Sequence, residues 1–98
     1  HMLASAQVRL EFARPVVYRA AFVVAHELAT RSRDVSHAKI VAAEAAALAA
    51  RTALQVHGAI GITRDHDMGL YYRRAKAAEL AFGDTDFQRE VIARQLGL

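Results

Sequence analysis

Apolar residues recur along this chain at intervals of three and four, the period of helices that bury one stripe, and nowhere alternate for more than a few residues. In the first third, Val8, Phe12, Val16, Val23 and Leu28 fall near one stripe, with Leu10, Val17 and Val24 beside it. The pattern predicts a helix from about Leu3 to Arg31, kinked near Phe12–Arg14, because Pro15 lacks a backbone donor and crowds the preceding turn. Arg31-Ser32-Arg33-Asp34 then reads as a turn, with Ser32 or Asp34 capping the next helix. That helix, Val35 to about His57, is rich in alanine, the best helix former. Ile40, Val41, Ala45, Leu48, Thr52 and Gln55 lie near one of its faces, small residues on both sides admit close neighbours, and Gly58 stops it as a C′ residue. Residues 58–67 read as a loop, in which Asp65 and Asp67 are candidate caps for a short helix from Met68 to about Leu80. Gly83 breaks that helix, and Asp84 caps the last one, Thr85 to about Leu96. Asp84 and Asp86 at its start and Arg94 near its end suit the helix dipole. The predicted fold is all-α: an antiparallel helical bundle of two long helices and two shorter ones.

Composition narrows the function classes. Ninety-eight residues make one domain or part of one. His1-Met2 reads as a cloning scar, which leaves residues 3–98 as the domain. The hydrophobic fraction of 54% is high, but much of it is alanine, which packs helices closely while burying little area. With no cysteine, disulfides and thiolate metal sites are excluded, which fits a cytoplasmic protein. No apolar run reaches the roughly 18 residues of a membrane span. Ile40–Ala50 comes nearest, and Glu44 interrupts it. The net charge of +3 comes from arginines spread along the chain and interleaved with acids, the pattern of solvated helix faces. Tyr71-Tyr72-Arg73-Arg74 combines aromatic and basic residues, but four consecutive helical positions point four ways. They make no stacking platform, so no nucleic-acid partner is expected.

Two turns can carry chemistry. Gly58 and Gly61 allow positive φ and close approach of backbone to a ligand. Gln55, one turn before the helix end, offers both an amide donor and an acceptor. Such a turn can cradle a nucleotide, and it can equally be an ordinary helix cap. It is not a dinucleotide fingerprint, because no strand precedes it. Gly83-Asp84-Thr85-Asp86 opens a helix whose free N–H groups could hold an anion, although two aspartates there work against phosphate. His26, His37, His57 and His66 have no metal-ligand spacing. Thr85 and Ser36 have no base beside them. Glu44 and Glu79 read as surface ion-pair carboxylates rather than buried acids.

Taken in order, Gln55–Gly61, Tyr71–Lys76 and Phe82–Arg94 resemble the C-terminal helical domain of the acyl-CoA dehydrogenases. That family has a long Ala-rich helix ending in Gln-x-x-Gly-Gly-x-Gly, a short helix with a Tyr-x-Arg-Asp-Ala-Arg-like run, and a final helix reading roughly Glu-Gly-Thr-x-x-x-Gln-Arg. Ala13-Arg14-Pro15-Val16-Val17-Tyr18-Arg19-Ala20-Ala21 resembles its preceding helix. The resemblance implies a flavoprotein that uses FAD to desaturate an acyl-CoA thioester at its α,β bond. This domain would be part of its oligomer core, a homo-oligomer or a heteromeric subunit. By carry-over, Gln55, Gly58 and Gly61 would contact the ADP part of FAD held by a neighbouring subunit. Asp84 stands where the family has an FAD-contacting Thr, and Asp86 near the cofactor two residues later.

Three departures sharpen the expectation. Phe82 stands where many members carry the catalytic Glu, and it cannot take a proton, so no catalytic residue is expected here. The Phe-Gly-Asp loop looks like a heteromeric, actinobacterial-type branch acting on bulky or steroid-derived acyl-CoA. Ala59 replaces the second glycine of the turn. The first helix of the family's domain and the Arg-x-x-Phe-Gly loop before it are not present, so the chain reads as a partial bundle, inactive alone and associating through its uncovered apolar face, most simply as a two-fold dimer. The competing expectation is a stand-alone helical oligomerisation or interaction module with no cofactor.

Overall fold

A computed structural model of the chain describes residues 2–58 and 67–98. Four helices follow one another: α1, Met2–Ala25; α2, Arg31–His57; α3, Asp67–Leu80; and α4, Thr85–Gln95. All regular structure among the described residues is helical, as the apolar period predicts. Among those residues, no helix is long and apolar enough to cross a membrane.

α2 is the spine. α1, α3 and α4 each pack against it. At about 100° per residue, Asp34, Ala38, Ala45 and Thr52 fall on one face of α2, and Ser36, Ile40 and Ala43 on the opposite face. All seven are buried. The first face meets α1: Arg19 Nε lies 3.6 Å from Asp34 Oδ1, and Arg9 Nη1 lies 3.3 Å from Glu44 Oε2. Those two pairs run in opposite chain directions, so α1 and α2 are antiparallel. The second face meets α3, where Lys39 Nζ donates to the Ala78 carbonyl and Ala47 and Ala50 face Tyr72 and Ala75. Those contacts also run antiparallel.

The apolar stripe of α1 differs from the one expected. The buried positions are Ala6, Ala13, Ala20 and Val23, with Val16 half-buried. Val8, Leu10, Phe12, Val17, Val24 and Leu28 are all exposed. Alanines seven residues apart make a narrow seam that lets two helix backbones approach closely, so the smallest residues hold the contact. The helix runs through Pro15 without ending.

The first connection also moves. α1 stops at Ala25, and Arg31–Asp34 is the first turn of α2 rather than a loop. Leu28 N donates to Val23 O and Glu27 N to Val24 O, with Glu27 at φ 53°. This is the paired closure that ends many helices on a left-handed residue, usually glycine. Here glutamate occupies it, which is why the sequence carries no stop signal. Neither Ser32 nor Asp34 caps α2. Asp34 lies inside it, its carboxylate accepting from Thr30 Oγ1 at 2.8 Å and pairing with Arg19. The side chains of Asp65 and Asp67, expected as caps of α3, fall outside the described residues.

Candidate functional site

The candidate residues lie at two helix ends. α2 closes at Gly58 with φ 64° and ψ −148°, a backbone geometry that glycine alone adopts readily. Among the described residues, a Cβ at Gly58 would meet nothing within 4 Å. Gln55 is exposed on the last turn. His57 Nδ1 lies 2.9 Å from Ala53 O, folded back on its own helix. Gly61 lies outside the described residues.

The second end is the α3–α4 connection. Phe82 has φ 57° and is 95% exposed, and Gly83 has φ 93°. Asp84 is the N-cap expected of it: its Oδ1 accepts from Phe87 N at 2.9 Å. Asp86, in the first turn, is exposed and 4.0 Å from Arg89 Nη1. α4 then ends as predicted, with Arg94 in its last turn and Gly97 at φ 78°.

A cleft of about 350 Å³ opens where α1, α2, α3 and α4 meet. Arg9, Glu44, Leu48, Arg51, Glu79 and Thr85 line it. Gln55, Gly58, Asp84 and Asp86 are not among its lining residues; Arg51 stands one turn before Gln55, and Thr85 stands between Asp84 and Asp86. Glu44 is half-exposed and carries two arginines, Arg9 at 3.3 Å and Arg89 at 3.0 Å. Glu79 pairs with Lys76 at 3.6 Å. Both glutamates are thus ion-pair groups, as the sequence suggested. Tyr72 is half-buried with Lys76 Nζ 6.0 Å from its ring centre, whereas Tyr71 and both arginines beside it are exposed.

Against a dinucleotide such as FAD the two ends fit differently. The bare backbone at Gly58 and the free amide of Gln55 suit a close polar edge such as an adenosine diphosphate. The carboxylates of Asp84 and Asp86 do not suit phosphate, but they can accept from sugar or ribityl hydroxyls. Glu44 reads from the sequence as a surface ion-pair carboxylate, and Gln88 and Arg89 as the Gln-Arg end of the motif that opens at Phe82; none of the three is marked there as a site residue.

The family model described as "Acyl-CoA dehydrogenase, C-terminal domain" matches residues 1–97. The Bacillus subtilis (strain 168) protein named "Probable acyl-CoA dehydrogenase YngJ" is 34% identical over 94 residues, 96% of this chain and 24% of that protein. A solved structure titled "Crystal structure of FAD-dependent dehydrogenase" superposes with a TM-score of 0.90 at 32% identity, covering 100% of this chain and 26% of that one. Another, titled "FAD complex of PigA", gives a TM-score of 0.83 at 26% identity, covering 94% and 24%. The chain therefore spans about a quarter of the length of the proteins it matches. With four helices in the same arrangement and a match along its length, the chain belongs to the acyl-CoA dehydrogenase family, as its C-terminal domain.

Proposed function

We propose that this chain is the C-terminal portion of an FAD-dependent acyl-CoA dehydrogenase subunit that desaturates an acyl-CoA thioester. The observation that carries the reading is the family match over residues 1–97, combined with the positive-φ glycine that ends α2 at Gly58. When bound, FAD accepts the hydride of the desaturation. In this reading Gln55, Gly58 and Gly61 contact the ADP part of FAD held by a neighbouring subunit, and Asp84 and Asp86 lie near the cofactor. Phe82 holds the position of a base and supplies none, so the base comes from outside residues 3–98. The chain alone then turns over no acyl-CoA. A cytoplasmic location fits the lack of cysteine.

The domain also serves as oligomer core in this reading. Leu3, Val8, Phe12, Tyr18 and Phe22 are each more than half exposed on α1. Apolar side chains in such number favour association. The same exposure also suits the second reading, an interaction module without cofactor.

The test is the flavin spectrum of the purified full-length protein. The proposal expects visible flavin absorbance, bleached under anaerobic conditions by a suitable acyl-CoA. A colourless protein that takes up no added FAD contradicts it and favours the module.

A further inference from the structure

The connection between α3 and α4 is short of the usual supports. Two successive residues, Phe82 and Gly83, have positive φ, and the Phe82 ring is in solvent. Left-handed geometry is costly for a non-glycine residue, so something must hold it. α4 itself buries little: Phe87 and Leu96 are more than half exposed, and Gln88 is its one buried residue.

The holding contacts are polar. Gln88, 8% exposed, donates from Nε2 to the Phe82 carbonyl at 2.8 Å. Gly83 lies flat against the same side chains: a Cβ there would fall 2.4 Å from Phe87 Cδ1 and 3.0 Å from Gln88 Nε2. The next residue, Arg89, reaches across to α2, where Nη2 lies 3.0 Å from Glu44 Oε1. The other oxygen of Glu44 takes Arg9 Nη1 of α1 at 3.3 Å. One carboxylate thus joins three helices, and two adjacent residues of α4 divide the task. Gln88 sets the loop on the helix, and Arg89 sets the helix on the spine.

We infer that Gln88 and the Arg9–Glu44–Arg89 bridge are positioning residues, which hold the Phe82–Asp86 segment in the register that the cofactor meets. The inference rests on the FAD reading above. In this inference the four act through the backbone of residues 82–86. A segment ordered in advance spares a ligand the cost of ordering it, so loosening the segment weakens binding.

The experiment uses the full-length protein with FAD as the probe. Gln88→Met removes the donor at nearly constant length, Glu44→Gln removes the bridging charge, and Arg89→Lys keeps charge while removing the fork. FAD dissociation constants, hydrogen exchange of the amides of residues 83–87 and melting of the apoprotein are measured together. Gln88→Met is expected to weaken FAD binding about tenfold, the effect of losing one good buried hydrogen bond. Glu44→Gln is expected to weaken it up to about fivefold, the scale of a partly exposed ion pair. Both speed exchange at residues 83–87, and Arg89→Lys recovers part of the loss seen with Glu44→Gln. FAD binding and exchange equal to the wild type in Gln88→Met and Glu44→Gln overturn the inference, as does a lowered melting temperature with unchanged FAD affinity. If one variant does not fold, the others decide. A wild-type protein that takes up no FAD overturns the flavin reading itself; tight wild-type binding that all variants share overturns the positioning role alone.

Discussion

Gly58 ends α2 at φ 64° and ψ −148°, and among the described residues a Cβ there would meet nothing within 4 Å. Gly58→Ala therefore reads chiefly the backbone cost: a loss of about 1–3 kcal/mol in denaturant unfolding. Asp84→Ala removes the acceptor of the Phe87 N–H and should cost about 1 kcal/mol, read the same way. Glu27 offers the opposite sign. It holds a left-handed position with its N–H bonded to Val24 O, so Glu27→Gly relieves strain and should stabilise by about 0.5–1 kcal/mol, seen as a raised melting temperature. These three residues also divide what could be read beforehand. Gly58 and Asp84 carry their roles in their chemistry, glycine for positive φ and a short carboxylate for a cap. Glu27 carries no such mark, because closing a helix on a glutamate is a choice made by the hydrogen bonds of Leu28 and Glu27 and not by side-chain preference. Asp34 misled for a related reason: the carboxylate that could have capped the backbone is taken by Thr30 and Arg19 instead.

Among the elements, the helices were legible from their period, but the buried face of α1 was not. Hydropathy ranks Phe12 and Val8 above Ala6, Ala13 and Ala20, yet the alanines form the seam, because closeness of approach to α2 depends on small size. Ala13→Leu should therefore destabilise by about 1–3 kcal/mol through overpacking, checked by urea unfolding. Phe12→Ser, a change on a residue 70% exposed, should leave the unfolding of the isolated chain nearly unmoved. α2 has two buried faces because helices pack on both sides of it, and its alanine content on all sides already allowed for that. Which polar residues tie those helices together was beyond the sequence: Glu44 meets Arg9 and Arg89 across separations of 35 and 45 residues.

At the scale of the whole molecule, four helices with a single spine leave one side of α1 largely apolar and open. In the oligomer reading, sedimentation at micromolar concentration shows a species larger than a monomer, and Phe12→Glu shifts it towards the monomer; a wild-type monomer contradicts that reading. The order of the three motifs, more than any one of them, made the family readable from sequence. Gly61 falls outside the described residues, which leaves Gln55 and Gly58 at the α2 end. In the flavin reading this end contacts FAD. The most direct test is FAD affinity of the full-length protein with Gln55→Ala, a change at an exposed side chain that should not disturb folding. The account predicts about five- to twentyfold weaker binding, the loss of one or two polar contacts, with melting of the apoprotein unchanged. FAD affinity equal to the wild type, or a wild-type protein that binds none, would contradict it.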